Sequence, residues 1–132
     1  MTKDKRSIYL AGGFRGGWHD LVVDKLKHDF FIYNPQAHDL EEPSRYTHWD
    51  LFHVDKCDIL LGYMSEDNPS GYGLALEIGY AKAKNKLIIL IDDRSKSDKS
   101  FLRYFSICHE SADVICDTLE EAIEYLKTFK NN

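Results

Sequence analysis

Proline and cysteine are both scarce in this chain of 132 residues, with three of each, and no basic stripe, repeat, low-complexity tract or long apolar run is present. Each absence removes a class of protein. An odd cysteine count (Cys57, Cys108, Cys116) without metal-type spacing argues against a disulfide framework and for reduced thiols. Seventeen basic residues scattered among 22 acidic ones give a net charge of −5, which disfavours a nucleic acid polymer as partner. No segment has the length or apolarity to cross a bilayer, and Met1 to Arg6 leads directly into a strand-like run rather than a signal-peptide core. The expectation is a cytoplasmic protein without membrane association, forming one domain over residues 1–132 around one core.

What is present is a regular alternation. Short runs rich in Ile, Leu, Val, Phe or Tyr lie at Ser7 to Ala11, Phe30 to Asn34, Asp58 to Tyr63, Lys86 to Asp92 and Asp113 to Cys116. Amphipathic stretches separate them at Gly17 to His28, Ser44 to Lys56, Gly73 to Lys84, part of Lys99 to Glu110, and Thr118 to Phe129. Strands apolar on both faces and joined by helices predict a parallel sheet covered on both sides through right-handed crossovers. The predicted class is α/β, a flavodoxin-like three-layer sandwich with a five-stranded parallel sheet in the order 2-1-3-4-5. Ligands of such sheets bind beyond the carboxyl ends of the strands, near the switch point between the first and third. The segments Gly12 to Gly17 and Met64 to Gly73 are expected to meet there, and Asp92 to Ser100 reads as an exposed loop.

Glu77 is the one charge between Gly71 and Ala81, in an otherwise apolar helix, so its carboxylate needs either a compensating partner or a use. The glycines at 71 and 73 predict a sharp entry into the helix with Glu77 in the first turn or just after it, where the helix dipole favours the ionised form. The alternative is a capping residue, or one paired with a lysine such as Lys84. The loop Gly12-Gly13-Phe14-Arg15-Gly16-Gly17 has the spacing of neither a dinucleotide fingerprint nor a P-loop. It offers a flexible backbone and one guanidinium, Arg15, for a phosphate or carboxylate, or else it is a tight turn with an exposed arginine. In the next helix Asp50 lies eight residues before Asp58, on nearly the same face, and spacing leaves open whether Asp50 or Asp55 points inward or both are solvated. Of the six histidines only His48 and His53 are close, at a separation unsuited to two ligands on one helical face, so no metal site is expected. Cys108-His109 reads as structural.

Three blocks resemble the nucleoside 2-deoxyribosyltransferase family. They are Ile8-Tyr9-Leu10-Ala11-Gly12-Gly13-Phe14, Asp50 to Asp58 with Ile59-Leu60-Leu61-Gly62, and Gly71-Tyr72-Gly73 with Glu77-Ile78-Gly79-Tyr80-Ala81. Together they span roughly the first 92 residues. The resemblance implies that Glu77 attacks the anomeric carbon of a deoxynucleoside, that Tyr9 orients the carboxylate, and that Asp50 helps protonate the departing base. It further implies that Gly12, Gly13, Phe14 and Arg15, with Asp67, Asn68, Ser70, Gly71 and Gly73, wall the sugar and base pocket. The reaction it implies is double displacement through a glycosyl-glutamate, with transfer of deoxyribose to a second free nucleobase, no cofactor, and a homo-oligomer. One departure is that Gly71 stands where some transferases carry a further aspartate. The first loop also resembles that of the related deoxynucleoside monophosphate N-glycosidases, which hold a phosphate with arginine and serine, roles that would fall to Arg15 and Ser70. An NAD-cleaving module or a non-catalytic ligand sensor are the remaining classes. Trp49, Phe52, Tyr104 and Phe105 suggest apolar surface for contacts between subunits.

Overall fold

The structure, a computed structural model, describes residues 5–65 and 71–130. Five strands, β1 (Ser7–Ala11), β2 (Phe31–Tyr33), β3 (Ile59–Met64), β4 (Leu87–Asp92) and β5 (Val114–Cys116), form one all-parallel sheet in the order β2-β1-β3-β4-β5. Between them run α1 (Trp18–Leu26), α2 (Pro43–Lys56), α3 (Tyr72–Ala83), the short pair α4 (Lys99–Tyr104) and α5 (Ser106–Ser111), and α6 (Leu119–Lys127). Short 3-10 turns precede α1 (Arg15–Gly17) and follow β2 (Pro35–Ala37). Topology and element order follow the sequence expectation.

Alternation along the strands builds two cores. Ile8, Leu10, Leu61, Ile89 and Ile91 face α1 and α6, whereas Tyr9, Ala11, Leu60, Ile88 and Leu90 face α2, α3 and the α4–α5 pair. The helices carry matching stripes. In α6, Leu119, Ala122, Ile123 and Leu126 recur at helical spacing and are buried, each large side chain contributing about 1.5–3 kcal/mol, and Thr118 caps the helix by accepting from the Glu121 N–H. Tyr9 is the consequential exception to an aliphatic strand. It is wholly buried on the α2–α3 side, so its hydroxyl must find a partner there.

Two sequence expectations need correction. Asp58 lies beyond the end of α2, and its carboxylate accepts from the Ser7 N–H at 2.8 Å and hydroxyl at 3.2 Å, tying the start of β1 to the approach to β3. The segment after β4 is also not simply an exposed loop. Asp92 and Ser95 are buried. One Asp92 oxygen accepts from the N–H groups of Arg94 and Ser95 at 3.0 Å each, and the other from the Ser95 hydroxyl and His109 Nε2. Burial opposes ionisation of Asp92, but these donors together hold its carboxyl below the usual range. His109 is thereby engaged with Asp92. Its neighbour Cys108 is buried with its thiol pushed up by desolvation, which leaves that pair the structural role expected of it.

Candidate active site

Three elements of the second core converge on Tyr9. From β1 its hydroxyl donates a short hydrogen bond to Glu77 Oε2 on α3, and Asp50 on α2 lies within hydrogen-bonding reach of the same hydroxyl. The phenol is pushed well above its ordinary range, first by burial and then by the carboxylates, so it stays a donor. Residues 41 to 68 positions apart in sequence thus meet around one hydroxyl.

Glu77 sits in the second turn of α3 rather than at its mouth. Glu77 is partly buried, and desolvation pushes its carboxyl up to about 7 against the opposing hydrogen bond from Tyr9. The nearby Asp50 charge raises it further. The helix dipole expected to keep Glu77 ionised is therefore outweighed by desolvation. Nor does Glu77 pair with Lys84, which reaches Asp55 at 3.5 Å on the outside of the molecule. The choice between the two aspartates of α2 is decided by the same geometry: Asp55 faces outward and Asp50 inward.

Asp50 has a second partner that sequence reasoning misses. His38, in the segment between β2 and α2, places Nε2 3.3 Å from Asp50 Oδ1. Its Nδ1 accepts the Leu40 N–H at 2.9 Å, which fixes the ring proton on Nε2, the nitrogen that donates to Asp50. The ring also packs edge-on against Trp49. Burial raises the Asp50 carboxyl, and the bonds from His38 and Tyr9 counter it in part. The only sequence signal for His38 is its position just past a strand end, which a census of histidines for metal spacing passes over.

The glycine-rich loop closes the carboxyl end of β1. Gly12 has φ +143°, and a Cβ there would stand 2.8 Å from the Tyr63 carbonyl oxygen, so β1 and β3 approach here only because the residue is glycine. Gly13 accepts from Trp18 Nε1 at 2.9 Å, and Phe14 is half exposed. Arg15 lines a cavity of about 280 Å³ with Trp18, Tyr63, Asp93, Asp117 and Thr118, on the α1–α6 side, whose lining includes none of Tyr9, Asp50 or Glu77. Gly71 and Gly73 do not use positive φ. Gly71 instead admits the ring of Phe105, which would lie 3.1 Å from a Cβ, and Gly73 is in the first turn of α3. The expected pocket residues Asp67, Asn68 and Ser70 lie outside the described residues.

A doubly covered parallel α/β sheet with a buried tyrosine bonded to one carboxyl group and close to a second is the class that fold and site define. Residues 5–95 match the family described as nucleoside 2-deoxyribosyltransferase like, and the chain belongs to that family. Solved structures of similar fold include a 2-desoxiribosyltransferase from Leishmania mexicana, with TM-score 0.72 and 19% identity over 92% of this chain and 96% of that one. The Clostridium botulinum CMP N-glycosidase BcmB has TM-score 0.64 and 19% identity over 94% and 100% of the two chains. A conserved protein from Enterococcus faecalis V583 has TM-score 0.70 and 15% identity over 95% and 99%. At these identities the likeness speaks for the fold. A search of curated protein sequences finds no significant match.

Proposed function

We propose that this protein is a nucleoside 2-deoxyribosyltransferase that cleaves the N-glycosidic bond of a 2′-deoxynucleoside and transfers the sugar to another nucleobase. The single observation that carries the reading is the Tyr9–Glu77 hydrogen bond beside Asp50. A carboxylate that is partly buried, oriented by a neutral phenol and free of any cationic partner among the described residues has the character of a nucleophile rather than of a structural ion.

In the proposed reaction an oxygen of ionised Glu77 attacks C1′ of the sugar. The C1′–N bond breaks, its electron pair stays on the base nitrogen, and the Asp50 carboxyl delivers a proton to the departing base. The sugar is left as a glycosyl ester of Glu77. A ring nitrogen of a second base then attacks C1′, Asp50 recovers a proton from it, and the ester bond breaks to regenerate the carboxylate, with configuration retained after two inversions. The raised Asp50 carboxyl suits a group that must hold and return a proton, and His38 fixes its orientation. Phe14 and its flanking glycines, with the segment containing Asp67, Asn68, Ser70, Gly71 and Gly73, are proposed to wall the sugar and base. Exposed Phe52, Tyr72, Leu76, Tyr104 and Ile107 support a homo-oligomer, and three free, buried cysteines suit a reducing cytoplasm, where the activity would serve nucleotide salvage.

The test is chromatography of the purified protein with a deoxynucleoside and a different free base, beside the matching deoxynucleoside monophosphate without acceptor. Exchanged nucleoside is the expected product. Free base released chiefly from the monophosphate replaces transfer with hydrolysis, and no turnover of either removes the reading.

A further inference from the structure

His19 is the second residue of α1, immediately behind the glycine-rich loop, and it is completely buried. Neither ring nitrogen has a hydrogen-bond partner among the described residues. Burial lowers its proton affinity to a pKa of about 4, so the ring is neutral near pH 7, with one N–H donor and one bare acceptor. A buried polar ring left unpaired is costly, and helix α1 would be better served there by an apolar side chain. One further buried side-chain atom lacks a partner among the described residues: Gln36 Oε1, just past the end of β2. Strands β1 and β2 are paired in parallel, with Tyr9 opposite Tyr33, so both orphaned groups belong to segments that leave the same carboxyl edge of the sheet. That edge also carries the loop of Gly12 to Phe14.

We propose that His19 is a specificity-determining residue that pairs through a ring nitrogen with a hydroxyl of the substrate's sugar. The inference rests on the deoxyribosyl substrate proposed above. A hydroxyl donates and accepts at once, which matches a ring that carries one N–H donor and one bare acceptor. The way in is past Phe14. Its ring meets His19 edge-on at 5.2 Å between centroids, its side chain is half exposed, and glycine pairs flank it at 12–13 and 16–17, with positive φ at Gly12, Gly16 and Gly17. On the other side Trp18, at 3.9 Å from His19, is held by its bond to Gly13 and packs on Tyr63.

The experiment compares wild type with His19→Phe, which keeps an aromatic ring against Phe14 and Trp18 but removes both nitrogens, using 2′-deoxynucleosides and their 3′-deoxy and 5′-deoxy analogues. The expected result is a melting temperature at or above that of wild type and a KM raised roughly tenfold with a smaller change in kcat. One of the two hydroxyl-deleted analogues should bind wild type and variant alike, because the group His19 reads is gone. An unchanged KM, or equal losses with every analogue, overturns the proposal and makes His19 a core residue satisfied by water. Should His19→Phe not fold, the imidazole ¹⁵N resonances of wild-type His19 on addition of 2′-deoxynucleoside decide the question: a shift supports the contact and constancy rejects it. If wild type neither binds nor turns over any deoxynucleoside, the functional reading itself has failed, an outcome distinct from a wild type that works and a variant that works equally well.

Discussion

The Tyr9 hydroxyl donates to Glu77 Oε2 across the interface between β1 and α3, so the most buried phenol of the sheet and the one carboxyl of α3 satisfy one another. This bond stabilises the ionised carboxylate, while desolvation and the Asp50 charge disfavour it, and desolvation is the larger effect. The reactivity of the site and its response to pH both depend on that balance.

Replacing Glu77 with Gln removes the nucleophile and leaves the shape. The variant should fold and lose at least ~4 kcal/mol of transition-state stabilisation, about a thousandfold in rate. Steady-state kinetics with a deoxynucleoside and an acceptor base measure it, and near-normal turnover would take Glu77 out of the mechanism.

Ionisation of Glu77 sets two opposite pH trends. Its carboxyl lies near 7 in the folded protein against an ordinary value of 4.5, so the nucleophile is generated as pH rises and the acid limb of the kcat/KM profile should report an ionisation near 7. Stability runs the other way. Between 4.5 and 7 the unfolded chain releases the Glu77 proton and the folded one keeps it, so this group's contribution is fully present below 4.5 and is lost as pH rises through 7, by at most ~3 kcal/mol. Melting curves across this range should show the decline in wild type and not in Glu77→Gln.

Tyr9→Phe deletes a bond that favours the ionised carboxylate. Turnover should fall about 10- to 100-fold, less than for Glu77→Gln, and the acid limb of the pH profile should move to higher pH. A profile that drops without shifting would show that Tyr9 does not tune Glu77.

Asp50→Asn keeps the hydrogen-bonding shape beside His38 and removes the exchangeable carboxyl proton. The expected loss is about 10²- to 10⁴-fold in rate, shrinking for substrates whose base departs readily without protonation. Kinetics across bases of graded leaving ability provide the check, and a uniform loss contradicts the assignment of Asp50 as proton donor.

Gly12→Ala and Gly16→Ala separate close approach from backbone preference. At Gly12 a Cβ meets the Tyr63 carbonyl at 2.8 Å and the Trp18 ring at 3.2 Å with φ at +143°, whereas at Gly16 the space is open and only φ +88° is unfavourable. Chemical denaturation should show a loss of about 2–4 kcal/mol for Gly12→Ala and about 1–2 kcal/mol for Gly16→Ala.

Strand β4 shows why so much of the fold is legible in the sequence. Leu87-Ile88-Ile89-Leu90-Ile91 is apolar at every position, and only a strand covered on both faces can bury all of it, so the parallel sheet and its helical layers follow from local pattern. The same logic isolates Glu77, a charge amid an apolar run. It fails for Asp92, whose polar neighbours resemble a surface loop because its donors Ser95 and His109 come from a turn and from α5, and no local pattern announces their meeting. His19 escapes it for a related reason: only packing reveals that a histidine on an otherwise amphipathic helix is sealed without a partner among the described residues.

By itself the sequence determined the alternation of strands and helices, the glycine loop after β1 and the isolation of Glu77, because each is fixed by residue types close together along the chain. Tertiary structure decided the rest. It chose Asp50 over Asp55, brought His38 to Asp50, set Arg15 against a cavity apart from Tyr9, Asp50 and Glu77, and pushed the Glu77 carboxyl toward neutral pH. These depend on which side chains lose water and which face each other across elements far apart in sequence, and desolvation and Coulomb interaction are properties of that three-dimensional neighbourhood.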